Sequence, residues 1–506
     1  MLGILQSRFG LDHFRRGQQE IIRSILAGQD TLAVMPTGGG KSLCYQLPAL
    51  INQGITIVIS PLISLMRDQV TNLRGKNIPA GCIHSGQSPI EKRQVFREIE
   101  NNDAYLLYLS PERVQKEGFI QWFQQKPITL IAIDEAHCVS QWGHDFRPDY
   151  AHLKLMREYK PNVPILASTA TATPMVLSDI SHVLGMHKPD RHIYGFYRPN
   201  LFYQVEDCVS DEHKFTLIKQ AIAQTPEGRI VIYAGTRKNC EYLQQEISVF
   251  VPQTDFYHAG LADETRSQIQ DAFEQGDIRV LIATNAFGMG IDHPDIRLVV
   301  HYQIPANIES YYQEMGRAGR DNKPSTCLLL YAKKDKGLQS YFIGQSQAPK
   351  AVINNKWRSL DALIHYCEGA ECRHSGILTY FKDQERIDSC GHCDICAPES
   401  SAMIISHAPI KQAPTKSARK KQISVQARMM NDEQRQRLEK IKQWRKDFAK
   451  SNDMPAFLVF SNKTLDELAV KNPQTLSQLE RIYGLGPHKI ESFGNILLQQ
   501  LTEIKA

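Results

Sequence analysis

Short apolar runs rich in β-branched residues, TLAVM, ITIVIS, YLLYLS, LIAID and ILAS, recur from Met1 to about Arg191, separated by stretches of helical pattern. That alternation predicts parallel strands joined by helices. A second series, RIVIY, VLIAT, RLVVHY and TCLLLY, repeats the pattern further along. The chain therefore reads as an α/β protein with two parallel-sheet units in tandem and a cleft between them. In such sheets ligands bind beyond the carboxyl ends of the strands, where each polar motif of this chain falls. From about Asp432 the pattern becomes that of amphipathic helices alone: RLEKIKQWRKDFA, PAFLVFSNKTLDELAV and TLSQLERIYGLGPHKIESFG. Ahead of them, Pro398 to Met430 contains KQAPTKSARKKQ, a basic, low-complexity linker with neither period.

Length and charge set further bounds. The 506 residues suit about three or four domains. The net charge of +5 is regional: Met403 to Lys450 carries 13 Lys plus Arg against 4 Asp plus Glu, a local +9 that leaves −4 for the rest. Such a block is either a solvated, flexible segment or an arm that meets phosphate backbones. No run of about eighteen apolar residues is present, and MLGILQSRFGLDHF lacks the features of a signal peptide, so a cytoplasmic protein without a membrane partner is expected. Of eleven cysteines, Cys372, Cys390, Cys393 and Cys396 crowd together, while scattered ones such as Cys44 and Cys240 read as small buried hydrophobes.

After TLAV comes MPTGGGKS, Met35 to Ser42, and then a helical pattern. Strand, glycine-rich turn and helix make a phosphate cradle: Thr37, Gly38, Gly39 and Gly40 curl the backbone, Lys41 supplies charge, and Ser42 can hold Mg²⁺. Met35 stands where the strict pattern has a glycine, so the octet alone also fits a glycine-rich turn with a surface lysine. LIAIDEAH ends a buried strand with two acids; Asp134 can bind the Mg²⁺ shell while Glu135 orients and deprotonates the attacking water. In L-x3-F-G-x3-F-R-x2-Q, ending with Arg15 and Gln18, the amide suits an adenine edge, although Phe9 and Phe14 also read as core. SPLISLMRDQ, with Ser60 and Arg67, and SPER, with Ser110 and Arg113, put hydroxyls and helix starts at strand ends, where a nucleic-acid phosphate can sit. CVSQWGHDFRPDY offers Trp142, His144, Phe146 and Arg147 as a stacking platform for unpaired bases, or else a loop that buries its aromatics. STATAT, Ser168 to Thr173, supplies hydroxyls that can bridge the cleft. In ATNAFGMGID, Gly288 allows close backbone approach and Asp292 can accept from a ribose hydroxyl. YYQEMGRAGRD places Arg317 and Arg320 three apart on one helical stretch, as arginine fingers toward the other unit's γ-phosphate.

Together these motifs resemble those of RecQ-type DNA helicases of superfamily 2. FGLDHFRRGQ, MPTGGGKS, DEAHCVSQWGHDFRPDY, STATAT, ATNAFGMGID and QEMGRAGRD stand in the family's order, and the match covers about Met1 to Ala397. The resemblance implies ATP-driven 3′→5′ translocation on single-stranded DNA, adenine contacts from Arg15 and Gln18, and two RecA-like lobes at 1–195 and 196–335. It also makes MPTGGGKS the family's own form of the cradle. Cys372 with CGHCDIC gives C-x17-C-x2-C-x2-C; four thiolates suit structural Zn²⁺, and the family carries a zinc site of this layout, here in a module at 336–397. Longer members follow this module with a winged helix; here residues 398–431 read as the basic linker instead. Residues 432–506 resemble the small helical HRDC-like domain that binds nucleic acid, with Gly484, Gly486 and Lys489 able to meet a phosphate. The expected activity is duplex DNA unwinding in recombination and repair on the nucleoid, with single-strand-binding protein as a partner. A weakly unwinding translocase or annealing factor, or an RNA helicase, is the alternative.

Overall fold

The computed structural model describes residues 1–36, 38–143, 145–287, 293–383, 385–405, 430–452 and 456–503. Thr37, His144, Gly288, Asp292 and most of the basic linker, 406–429, lie outside the described residues.

The first unit is a seven-stranded sheet of β1 (Thr31–Val34), β2 (Gly54–Ile59), β3 (Ala80–Ile83), β4 (Ala104–Leu109), β5 (Ile128–Ile133), β6 (Ile165–Thr169) and β7 (Asp190–Ile193). Their order is β3-β4-β2-β5-β6-β1-β7, and each pairing is parallel. The second is a six-stranded sheet of β8 (Leu201–Asp207), β9 (Arg229–Tyr233), β10 (Thr254–Tyr257), β11 (Val280–Ala283), β12 (Ile296–His301) and β13 (Ser325–Tyr331), ordered β10-β11-β9-β12-β13-β8 and again parallel. Helices on both faces bury the interior strands, which is why those strands read as unbroken apolar runs.

A helical module of Asp335–Gly344, Lys350–Glu368 and Arg373–Tyr380 follows the second sheet and packs onto it. It leads to Cys393 and Asp394, which continue the sheet beyond β8: Asp394 N–H donates to Tyr203 O at 2.9 Å, and its carboxylate accepts from Val205 N at 3.2 Å. An otherwise open sheet edge is thereby closed. Helices Asp432–Ser451, Ala456–Val459, Asn462–Lys471, Leu476–Leu479 and Pro487–Glu503 form a C-terminal domain with its own core, where Trp444 stacks on Phe448 at 5.1 Å. This domain rests on Lys350–Glu368 and is pinned by the Arg445–Glu371 ion pair at 3.7 Å.

Candidate nucleotide site and nucleic-acid interface

Met35 ends the run begun by β1; it is buried, donates its N–H to Thr169 O at 3.0 Å and touches the Cys44 thiol. A core residue thus stands at the position that a strict phosphate loop gives to glycine, and the turn begins after it. Gly38 and Gly40 both have φ of +78°, open only to glycine without strain. A Cβ on Gly40 would lie 2.4 Å from Gln18 Nε2. Gln18 has both ends of its amide engaged: Nε2 donates to Gly39 O and Gly40 O at 3.3 and 3.1 Å, and Oε1 accepts from Arg15 N at 2.8 Å. Arg15 Nη1 donates to Gly38 O. Arg15 and Gln18, the pair expected at an adenine edge, are thus both bonded to the phosphate loop.

Asp134 and Glu135 emerge at the end of β5. Asp134 Oδ1 accepts from Ser168 Oγ at 3.3 Å and from Glu135 N at 3.0 Å. Burial, with Glu135 beside it, pushes the Asp134 carboxyl up from 3.8 to about 6 despite the attraction of Lys41. Glu135 itself has φ of +48°, a left-handed conformation that costs a non-glycine residue about 1–3 kcal/mol and recurs at working sites. Its Oε2 lies 3.2 Å from His137 Nδ1, which also meets Thr169 Oγ1 at 2.8 Å. Burial disfavours charge on His137, but Cys138 and Glu135 hold its pKa up at about 10. The Ser168 and Thr169 hydroxyls, expected to bridge the cleft, turn inward to these groups because β6 lies beside β5.

A raised carboxyl pKa means that ionising Asp134 costs stability; the cost is absent below about pH 3.8 and complete above about pH 6. Asp134→Asn is therefore expected to stabilise the fold at neutral pH by about 1–3 kcal/mol, at roughly 1.36 kcal/mol per unit, while abolishing hydrolysis. Thermal unfolding across that pH window checks it: the gain over wild type should shrink as pH falls.

On the second unit, helix Ile308–Met315 ends before the two arginines, which lie in the turns that follow and not on the helix itself. Gly316 and Gly319, the latter with φ of +56°, break the helical continuation. The turn still brings Arg320 to the phosphate loop: a Cβ on Gly38 would lie 3.3 Å from Arg320 Cγ. Arg317 is buried beside the Tyr233 hydroxyl.

The aromatic loop is tied to the acids by Arg147 N–H donating to Cys138 O at 3.0 Å. Arg147 also donates to Asp145 at 3.1 Å and to Pro61 O at 3.2 Å, joining this loop to the turn after β2. Trp142 packs partly on the core, and Phe146 is exposed. Ser60 is 2% exposed, because it prolongs the interior strand β2 and pairs with Leu109 O; its hydroxyl is not at the surface where a phosphate contact was expected. Arg67 is exposed beside His84 Nε2 at 3.4 Å, and Ser110 and Arg113 are half-buried at the end of β4.

The Sγ atoms of Cys372, Cys390, Cys393 and Cys396 lie within 4.8 Å of one another. Backbone N–H groups of Ser375, His392 and Cys396 donate to Cys372, Cys390 and Cys393 Sγ at 3.3 to 3.5 Å. Donors aimed at sulfur favour thiolates, so the set fits tetrahedral Zn²⁺ with no open position. Cys367, nearby in sequence, is not of this group. Since Cys393 and Asp394 also cap β8, stripping zinc is expected to uncover a sheet edge as well as remove binding free energy on the order of 10 kcal/mol. Chelation of the native chain should release one zinc, lower Tm and cause aggregation; an unchanged melting curve would contradict this.

Lys489 is half-buried with its Nζ shielded from solvent, and that burial pulls its pKa down to about 8 while the Asp361 carboxylate draws it up. Of the three residues expected to meet a phosphate, Gly484 and Gly486 are exposed, while the Lys489 ammonium lies toward the zinc module.

Two parallel sheets with a phosphate loop and paired acids on one and arginines reaching in from the other define the two-lobed nucleoside-triphosphate motors. Four family profiles match: DEAD/DEAH box helicase over residues 15–180, helicase conserved C-terminal domain over 213–322, RecQ zinc-binding over 333–397, and HRDC domain over 434–501. The Bacillus subtilis protein named ATP-dependent DNA helicase RecQ is 34% identical over 584 aligned positions, covering 98% of each chain. The Haemophilus influenzae protein of the same name is 40% identical over 396 residues, 78% of this chain and 63% of its own. The chain belongs to the RecQ family. In fold alone it also resembles the Mycobacterium smegmatis helicase Lhr bound to ssDNA and AMP-PNP, at 18% identity, with a TM-score of 0.52 over 70% of this chain and 52% of that one.

Proposed function

We propose that this protein is a DNA helicase that hydrolyses ATP to move 3′→5′ along single-stranded DNA and separate duplexes during recombination and repair. The observation that carries the reading is the Arg320 stem lying over Gly38, which makes the nucleotide site a joint property of both lobes. Thr37, Gly38, Gly39, Gly40 and Lys41 hold the phosphates. Ser42 and Asp134 would hold Mg²⁺, which supplies charge neutralisation between the phosphates when bound. Glu135 orients and deprotonates water, and Arg317 and Arg320 meet the charge that develops on the transferring group. Because those two sets sit on different lobes, hydrolysis follows closure and release follows opening. Single-stranded DNA lies across Arg67, Ser110, Arg113 and the aromatic loop, whose tie to Cys138 lets strand occupancy reach Glu135. We assign Gly288 to close backbone approach to the nucleotide and Asp292 to its ribose, residues 1–195 and 196–335 to the lobes, and the cytoplasmic nucleoid as the place of action, with single-strand-binding protein as a partner.

Duplexes with a single-stranded 3′ or 5′ tail test this reading. ATP-dependent strand displacement should need the 3′ tail; displacement only from the 5′ tail, or equally from RNA duplexes, would overturn it.

A further inference from the structure

We propose that Arg198, in the segment joining the two lobes, is a positioning residue that sets the place of Arg317 and Arg320. The inference rests on the reading of those two arginines as groups that stabilise the transition state. Where helix Ile308–Met315 stops, its last carbonyls accept from the N–H groups of the Gly316–Arg320 turn, such as Gly316 N on Tyr312 O at 2.9 Å, and the turn itself, rich in glycine and costly to order, carries carbonyls that lie past the helix. Backbone bonds tie it at one point to β12, Gly319 N–H donating to Ile296 O at 2.9 Å, and one side chain takes up three of its carbonyls. Arg198 Nη1 donates to Gly316 O at 3.4 Å, and Nη2 donates to Ala318 O and Gly319 O, both at 2.9 Å. Asn200 extends the clamp: its Nδ2 donates to Gly319 O at 2.8 Å and Lys323 O at 3.0 Å, while its Oδ1 accepts from Arg198 Nε at 3.4 Å. Gly319 has to be glycine, since a Cβ there would lie 2.4 Å from Asn200 Nδ2.

Arg198 is only 9% exposed, and among the described residues it forms no ion pair. A buried charge spent on carbonyl dipoles is an expensive way to gain stability. A planar fork that fixes three carbonyls of one turn is instead an effective way to fix geometry. The carbonyls it holds flank Arg317 and immediately precede Arg320, so the clamp sets where both guanidinium groups begin.

The other end of Arg198 is fixed as well. Two residues before it, Phe196 stacks on Phe381 of the zinc module at 4.3 Å and donates its N–H to Asp383 Oδ2 at 2.9 Å, and its carbonyl accepts from Tyr312 OH at 3.3 Å. The segment joining the lobes is thus held by the zinc module on one side and holds the arginine turn on the other.

The test measures steady-state and single-turnover hydrolysis by the full chain with saturating single-stranded DNA, beside fluorescent-nucleotide affinity and Tm. Arg198→Lys keeps the charge but loses the fork, and Asn200→Asp keeps the shape but loses the donors. Each is expected to lower kcat by ~10- to 100-fold, with KM for ATP and nucleotide affinity changed by less than about threefold. Combined with Arg317→Ala and Arg320→Ala, either variant should add almost nothing to the loss. Multiplying losses in the combined variants, a loss confined to KM, or a fall in Tm with kcat intact would overturn the proposal. If Arg317→Ala and Arg320→Ala hydrolyse at the wild-type rate, the underlying reading of the arginines fails. If they are inactive while Arg198→Lys and Asn200→Asp are normal, only the positioning role fails.

Discussion

Arg320→Ala is expected to lower DNA-stimulated ATP hydrolysis by ~10³- to 10⁵-fold, the range over which arginine fingers act on phosphoryl transfer. The loss should fall on kcat, because the side chain reaches the phosphate loop from the other lobe and meets charge that grows only in the transition state. Its stem already lies against Gly38, so the guanidinium needs no large movement to act. Nucleotide affinity, carried by the first lobe, should change by less than about tenfold. A fluorescent-nucleotide titration beside a phosphate-release assay separates the two effects; equal losses in affinity and rate would show that Arg320 binds ground-state nucleotide instead.

Lys41→Ala should have the second large effect, and of a different kind. Lys41 sits in the turn before helix Leu43–Ile51 and is close enough to Asp134 to draw its carboxyl pKa down. It is the one full positive charge within the phosphate loop itself, so its loss weakens both the bound nucleotide and the transition state. A charge-assisted contact is worth about 1.5–3 kcal/mol in binding and more where charge develops, so hydrolysis should fall by at least ~10²-fold with affinity falling too. Retained single-strand-stimulated ATPase in this variant would sink the assignment of the loop.

The nine apolar runs read from the sequence are the nine interior strands of the two sheets. Strands buried on both faces must be apolar throughout, and that signal needs no partner to be seen. The edges were harder: β3, with glycine in AGCI, β7, with the half-exposed DRHI, β8, with the mixed LFYQVED, and β10, with the polar start of TDFY, lack such a run. The cysteine group was legible because metal ligation constrains residue type and spacing together, whereas Met35, which the resemblance makes the family's own form, has its physical reason in its burial. Helical periodicity misplaced Arg317 and Arg320 because the pattern does not register where glycines stop a helix. Ser168 and Thr169 bond inward to groups more than thirty residues away in the chain, and Arg198 acts on carbonyls 118 to 121 residues away, which carry no side-chain signal at all. Lys489 turned toward Asp361 for the same reason: domain docking is written in no local pattern.

The central claim is that ATP hydrolysis across the two lobes drives separation of DNA strands. The most direct measurement is strand displacement from forked and blunt duplex DNA, followed beside ATP hydrolysis in the same reactions. The account predicts displacement of the forked substrate, in step with hydrolysis and abolished by Arg320→Ala. Hydrolysis stimulated by single-stranded DNA with no strand displaced from the fork would contradict it and leave a translocase in its place.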